Sequence, residues 1–238
     1  MTDPTTRLNT DFRTHLVAVD RHTGLLLRTA RSLEPGSLGD PSRCPGWTRG
    51  HILTHLARNA DALVNLVTNA TTGSSTPMYA SPESREADIE AGAERPLDEQ
   101  VVDVEASAAR FASAAAGLTD EMTDVALLAR NNTKVKAGHL PFMRLREVVL
   151  HHLDLDADYG FADVDDDVTL WLLQDTIRRL RHDPETPSMS IRTDEGDVWS
   201  FGDGRPTVSG RRADVLAWLT RGVTTGVSGT LPTIPSLG

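Results

Sequence analysis

Residues 44–63 read CPGWTRGHILTHLARNADAL, and this stretch combines a helix start with a long apolar periodicity. Thr48 lies where an N-cap hydroxyl is expected, directly after a segment that contains prolines and a glycine. From there apolar residues recur at helical spacing, at Ile52, Leu53, Leu56, Ala60, Leu63 and Val67. The pattern predicts an amphipathic helix from about Arg49 to Asn69.

Three more segments of the first two thirds of the chain have helical periodicity. They are Phe12 to Leu33, the alanine-rich run from Leu97 to Leu118, and Phe142 to Asp156. Four helices of these lengths predict a bundle. Between them, the stretch from Ala70 to Arg95 is rich in Thr, Ser, Gly, Pro and charge. It predicts a long loop, with short ordered pieces around Met78 and Ile89.

The sequence changes character after Asp165. A predicted helix, Val168 to Arg181, is followed by three short β-like runs and a last helix. These four segments are Ser188 to Arg192, Val198 to Phe201, Thr207 to Ser209 and Ala213 to Leu219. We therefore expect an α+β fold that is mainly α, with a four-helix bundle at 1–165 and a small α/β module at 166–238.

The charge and composition exclude several classes of function. The chain has 34 acidic and 24 basic residues, a formal charge of -10, which disfavours nucleic acid and anionic membranes as partners. Cys44 is the single cysteine and cannot form an internal disulfide. The first residues lack the apolar run of a signal peptide, and no transmembrane-length apolar stretch follows. We expect a cytoplasmic protein.

Two of the predicted helices carry candidate metal ligands at i and i+4. His51 and His55 lie on one helix, and Glu147 and His151 lie on another. His55 is nearer the apolar face than His51, which favours His55 as the ligand. Two histidines and a glutamate are a common zinc ligand set that leaves the fourth position open.

Spacing alone leaves a second interpretation open. Arg144, Glu147, His151 and Asp154 fall on one stripe of their helix, and such a stripe faces either a polar cavity or water. Histidines on separate helices bind a metal only if the fold brings them together. The residue pattern by itself is therefore weak support for a metal site.

Three stretches resemble the mycothiol-dependent maleylpyruvate isomerases, a branch of the DinB-like superfamily of thiol-using metalloenzymes. They are residues 44–63, TPMYASPESREADIEAG at 76–92 and MRLREVVLHHLDLDA at 143–157. The likeness extends over nearly the whole chain, and Met78 to Arg85 is its most discriminating part. The resemblance implies a DinB-like four-helix bundle followed by a small α/β module.

The resemblance also implies functional residues. Zinc would be bound by His55, Glu147 and His151. Arg85 corresponds to an arginine implicated in catalysis, and its guanidinium suits a substrate carboxylate. A weaker match, TRGVTTGVSG at 220–229, implies that Arg221 contributes to substrate binding. The residues that bind the thiol are not indicated, and the thiol itself is external to the chain, so Cys44 is not the expected nucleophile.

The activity implied is the cis–trans isomerisation of maleylpyruvate to fumarylpyruvate, a step of gentisate degradation, with Zn²⁺ and mycothiol as cofactors. A thiolate that adds to the double bond makes it single, allows rotation and is then expelled. The partners would be a small substrate and a low-molecular-weight thiol. Two alternatives stay open, a mycothiol S-transferase for another electrophile and a non-catalytic zinc- or ligand-binding protein. A monomer fits, but the sequence does not determine the oligomeric state.

Overall fold

The computed structural model describes residues 11–236, which form two compact units, 11–159 and 160–236. The described part of the first unit contains five α-helices. They are α1 (Phe12–Ser32), α2 (Arg49–Thr72), α3 (Pro82–Ala93), α4 (Leu97–Ala115) and α5 (Leu140–Asp154). The second contains two α-helices and a four-stranded sheet. The predicted α+β fold that is mainly α is confirmed.

Helices α1, α2, α4 and α5 form a four-helix bundle. Helix α2 packs against α4 and α5, and α1 packs against the same two helices from the other side. The apolar stripes of the helices meet in a core that includes Leu26, Ile52, Leu53, Leu56, Val104 and Val148. Burial of each such side chain stabilises the fold by roughly 1.5–3 kcal/mol, so this core holds α2 and α5 in register.

The start of α2 matches the sequence prediction. The Thr48 hydroxyl accepts from the backbone N–H of His51, and the Thr48 N–H donates to Nδ1 of His51 at 3.2 Å. Together these bonds form a capping box, which fixes the first turn of the helix. The helix ends at Thr72, where Gly73 adopts a left-handed conformation with φ 74°. The capped start places His55 on the second turn, facing the bundle.

The second half of the long loop predicted from Ala70 to Arg95 forms the helix α3, a longer element than the short ordered piece predicted around Ile89. Ser81 caps this helix by accepting from the N–H of Ser84 at 3.0 Å, and Pro82 occupies the first turn. Only Ile89, Gly92 and Ala93 of α3 are buried. Gly92 lies so close to Thr54 of α2 that a Cβ would collide with it. With so small a buried face, α3 has no apolar periodicity that the sequence could have revealed.

A short hairpin precedes α5. Strands β1 (Ala126–Leu128) and β2 (Lys134–Lys136) pair in antiparallel fashion, and neither was predicted because each has only three residues. Helix α5 begins at Leu140, two residues before the predicted start, because a proline fits the first turn of a helix.

The second unit begins with α6 (Asp166–His182), which packs against α7 (Arg212–Arg221). Its sheet consists of β3 (Met189–Thr193), β4 (Val198–Phe201), β5 (Thr207–Gly210) and β6 (Val227–Gly229). The strand order is β4-β3-β5-β6, with β3 and β5 parallel and the outer pairs antiparallel. Strand β6 falls in a Gly- and Thr-rich tail and was not predicted. None of the helices at 11–236 has both the length and the apolar character needed to span a membrane.

Candidate metal centre

The three predicted zinc ligands lie together inside the helical unit. His55 on α2 is 4% exposed, and its Nε2 lies 3.0 Å from Oε2 of Glu147 on α5. Nε2 of His151, one turn further along α5, lies 3.6 Å from the same oxygen. One donor atom from each residue fits within 4.8 Å of the others. Their role as metal ligands stays a prediction, but the geometry that it requires is present.

The polar stripe of α5 does not face water. Arg144 and Asp154 are both fully buried, and the side chains of Glu147 and His151 are only 18% and 16% exposed. The stripe is covered because α5 packs against α2 along this side. The interpretation as the solvated face of an amphipathic helix therefore does not hold. His152 points elsewhere, stacked on the ring of Tyr159 at 3.7 Å.

Asp154 orients His151. Its Oδ2 lies 2.9 Å from Nδ1 of His151, and it also accepts from Sγ of Cys44 at 3.1 Å. A carboxylate on the far nitrogen of a histidine is the usual partner of a metal-binding imidazole, because it fixes the tautomer and the ring orientation. Cys44, His151 and Asp154 also form a compact donor group. However, Sγ of Cys44 and the carboxylate of Asp154 already hydrogen-bond with each other.

Charge is balanced at this site. Burial lowers the pKa of His55 to about 4, which keeps this imidazole neutral. Burial alone would raise the pKa of Glu147, but hydrogen bonds from His151 and His55 hold it well below its usual value. Burial would lower the pKa of His151, but its hydrogen bonds, with Asp154 first among them, raise it well above the usual value. A cation bound at these donors would replace the proton on His151.

The donor set fits zinc. Zinc bonds to nitrogen and oxygen of about 2.0–2.1 Å place tetrahedral ligand atoms roughly 3.3 Å apart. The separations of 3.0 Å and 3.6 Å from Oε2 of Glu147 lie on either side of this value. Two imidazoles and one carboxylate leave a tetrahedral position for an exogenous group. These residues could therefore hold zinc with little rearrangement.

Arg85 contacts the same cluster from the first turns of α3. Its Nη2 lies 3.2 Å from Nδ1 of His55, and its guanidinium carbon lies 5.9 Å and 5.7 Å from the ring centroids of Trp47 and Tyr79. A guanidinium only donates, so Nδ1 of His55 accepts and the proton of this ring is on Nε2, facing Glu147. Arg85 is thus next to the candidate metal site, although its segment was predicted as loop.

Arg221 belongs to the other unit. It is the last residue of α7, and its Nη1 donates to the backbone oxygen of Thr220 at 2.8 Å. Its proposed part in substrate binding stays a prediction.

Sequence reasoning missed several residues around the site. The ring of Trp47 lies 5.2 Å from that of His55, measured between centroids, and covers the cluster. Tyr79 packs beside Arg85, and Asn59 accepts from Arg144 at 2.9 Å. Trp47 and Tyr79 had a signal in the sequence, since Trp47 lies in the family-like stretch 44–63 and Tyr79 in the stretch 76–92. Arg144 lies on the polar stripe of its helix noted above, but Asn59 had no signal, because a helix pattern does not reveal which polar residues are buried.

Comparison with known proteins identifies the family. Residues 19–156, more than half of the chain, match the family model described as the mycothiol maleylpyruvate isomerase N-terminal domain. The chain belongs to this family. The matched residues include the three candidate ligands and Arg85. A search of curated proteins finds no match.

Two solved structures of a mycothiol-dependent maleylpyruvate isomerase have the same architecture as this family member. The first has a TM-score of 0.88 and 26% sequence identity, with 94% of this chain and 96% of that chain covered. The second, a histidine-to-alanine mutant of that enzyme, has a TM-score of 0.87 at the same identity and coverage. The suspected family and the prediction of an enzyme are both confirmed by these matches.

Proposed function

We propose that this protein is a zinc- and mycothiol-dependent isomerase that converts maleylpyruvate to fumarylpyruvate. The observation that carries the proposal is the buried cluster of His55, Glu147 and His151 with the guanidinium of Arg85 against it. Family membership and the two similar structures support the same activity. We also propose that the helical unit provides the metal site and that the substrate and a low-molecular-weight thiol are its partners.

His55, Glu147 and His151 would hold zinc through Nε2, a carboxylate oxygen and Nε2 respectively. When bound there, zinc supplies a lowered pKa for a coordinated thiol, and thus a nucleophile for the cis double bond at neutral pH. Asp154 keeps Nε2 of His151 available by accepting the proton of Nδ1. The ring of Trp47 packs near both imidazoles, with centroid distances of 5.2 Å to His55 and 6.3 Å to His151.

Arg85 would bind a carboxylate of the substrate. A histidine that holds a metal through Nε2 carries its proton on Nδ1. Arg85, which only donates, would then lose His55 as its acceptor and could turn its guanidinium to an anion instead. The substrate carboxylates are such anions, and a fork of two N–H groups binds them bidentately. We propose Arg221 as a second partner of the substrate, on the sequence resemblance alone.

The test is isomerisation of maleylpyruvate followed by absorbance, with zinc-replete protein and with or without a catalytic amount of mycothiol. We expect turnover that requires the thiol and leaves its concentration unchanged. Consumption of the thiol with release of a conjugate would instead identify an S-transferase. A protein that binds zinc and thiol but neither isomerises maleylpyruvate nor consumes the thiol would favour the non-catalytic alternative. The variant His55→Ala controls for contaminating activity.

A further inference from the structure

We propose that Trp47 and Tyr79 are positioning residues, whose ring faces hold the guanidinium of Arg85 at the metal centre and leave its N–H groups free for a carboxylate of the substrate. This inference rests on the isomerase function proposed above, in which Arg85 binds that carboxylate. It assigns a role to two aromatic side chains that the metal ligands leave without one.

The guanidinium of Arg85 has aromatic neighbours and no acidic one. Its Cζ lies over the ring of Trp47, 5.9 Å from the centroid, and over the ring of Tyr79, 5.7 Å from the centroid. Both distances are within the range of cation–π attraction, which extends to about 6 Å. No carboxylate in the described part of the chain forms an ion pair with Arg85, whereas Arg95, just after the same helix, pairs with Asp103. Ring faces therefore take the place of an anionic partner.

This kind of contact keeps the guanidinium available to a ligand. A carboxylate partner would occupy the fork of two N–H groups, but a ring face attracts the charge without accepting those hydrogen bonds in the plane of the group. Nη2 of Arg85 donates to Nδ1 of His55 at 3.2 Å, and a metal on Nε2 of this imidazole removes that acceptor. The rings then hold the charge in place while the N–H groups bind the substrate.

Trp47 belongs to a rigid turn before α2. Its backbone N–H donates to the oxygen of Cys44 at 3.0 Å, and its own carbonyl oxygen accepts from N and Oγ of Ser42 at 2.9 Å and 2.8 Å. Gly46 allows the turn by adopting φ 81°, a left-handed conformation that suits glycine. The next residue is Thr48, the N-cap of the helix. The backbone that carries this ring is thus fixed on both sides.

Tyr79 is carried by a segment that is anchored to α2. Nδ2 of Asn69 donates to the backbone oxygen of Thr76 at 2.7 Å, and Oδ1 accepts from the N–H of the same residue at 2.9 Å. Met78 is buried, and Ser81 caps α3 two residues after the tyrosine. These contacts do not involve Arg85. The second ring is therefore also held in place independently of the guanidinium that it faces.

The burial of the three side chains suits a binding site. Arg85, Trp47 and Tyr79 are all partly buried, neither enclosed nor fully exposed. Partial removal from water strengthens a cation–π contact, because water competes less for the charge. The remaining exposure leaves an approach for a small anion.

The first test compares two substitutions of Tyr79. Tyr79→Leu removes the ring face, and in zinc-replete protein with mycothiol we expect kcat/KM to fall about 3- to 30-fold. Tyr79→Phe keeps the face and should stay within about twofold of the wild type. Both variants should contain as much zinc as the wild type. A wild-type kcat/KM in Tyr79→Leu would overturn the inference, and so would an equal loss in both variants.

The second ring is tested in the same way. Trp47→Leu should lower kcat/KM, and Trp47→Phe should lie between the leucine variant and the wild type, because a phenyl face attracts a cation less than an indole. Trp171→Leu, on α6 of the other unit, is the matched control and should keep the wild-type kcat/KM. Equal losses in Trp47→Leu and Trp171→Leu would overturn the role of Trp47.

A double-mutant cycle separates positioning from packing. If Tyr79 acts through Arg85, adding Tyr79→Leu to Arg85→Ala should change kcat/KM by less than about twofold. A ring with a merely structural role would reduce kcat/KM by the same factor in both backgrounds, and that result would overturn the inference. The dissociation constant of fumarylpyruvate for zinc-loaded protein without thiol, measured by calorimetry, gives the same cycle without turnover.

The levels of failure are distinct. A wild-type protein that does not isomerise maleylpyruvate overturns the proposed function and this inference with it. Full activity of Arg85→Ala removes Arg85 from substrate binding, and the role of the rings with it. Loss of activity in Arg85→Ala but not in Tyr79→Leu overturns only the inference about the rings.

Discussion

Nδ1 of His151 lies 2.9 Å from Oδ2 of the fully buried Asp154, while Nε2 of the same ring faces Glu147. The imidazole is thus held between two carboxylates that lie on the same helix, one turn away on either side. Asp154 lies outside the proposed ligand set but determines which nitrogen of His151 is free to bind a metal. This makes the aspartate a target for mutation.

The variant Asp154→Asn should bind zinc about 10- to 100-fold more weakly, because an amide is a poorer acceptor for the proton of Nδ1. Competition with a chromophoric chelator measures the affinity. The control is Asp156→Asn, two residues away, where the carboxylate is 55% exposed and pairs with Arg43. Equal zinc affinity of both variants would show that Asp154 does not tune the site.

The variants His55→Ala and Glu147→Gln should lose both zinc and turnover, since each removes one of three proposed ligands. Metal content after dialysis is the measurement. His51→Ala is the matched control, because His51 lies one turn before His55 on the same helix and pairs with Glu90 instead. Stoichiometric zinc in His55→Ala would contradict the ligand assignment.

Arg85→Ala should retain zinc and lose most of its turnover, because we propose that the guanidinium binds the substrate and not the metal. Arg85→Lys keeps the charge without the bidentate fork, and we expect its kcat/KM to lie between that of the wild type and that of the alanine variant. Steady-state kinetics with metal analysis distinguish these outcomes. Full activity of Arg85→Ala would remove this residue from the mechanism.

Cys44→Ser should keep its zinc and its dependence on added mycothiol, since the reacting thiol is external and a serine hydroxyl can still donate to Asp154. The assay is the isomerisation reaction with and without mycothiol. If the serine variant fails while its zinc content is unchanged, Cys44 takes part in the chemistry.

His15 should make the fold less stable in acid. It is 3% exposed and packs on the ring of Phe142, and burial lowers its pKa to about 4. Because the unfolded chain binds this proton at about pH 6.5, the stabilisation is complete above that pH and is lost as the pH falls toward 4. The loss should be less than about 3 kcal/mol for this one group.

Urea unfolding of wild type and His15→Leu between pH 7 and pH 4 measures this effect, as the difference between the two free energies of unfolding. His182→Leu, an exposed position on α6, is the control and should follow the wild type. A His15→Leu profile parallel to that of the wild type would refute the prediction.

Local patterns explain which elements could be predicted. Helices α2 and α5 carry apolar residues at regular spacing, because one side of each faces the bundle core, and this periodicity is visible in the sequence. Helix α3 and strand β6 bury few side chains, so neither shows a periodic apolar face in the sequence. Contacts with neighbouring elements, such as the close approach of Gly92 to Thr54, stabilise them instead.

The sequence by itself determined the helical bundle, the family and the residues with the right donor atoms at the right spacing, because each of these depends on local periodicity or short motifs. Only the tertiary structure decided that His55 meets Glu147 and His151, that the polar stripe of α5 is buried, and that Arg85 contacts His55 with Tyr79 beside it. These are contacts between residues far apart in the chain. They follow from the packing of α2, α3 and α5, which no local pattern encodes.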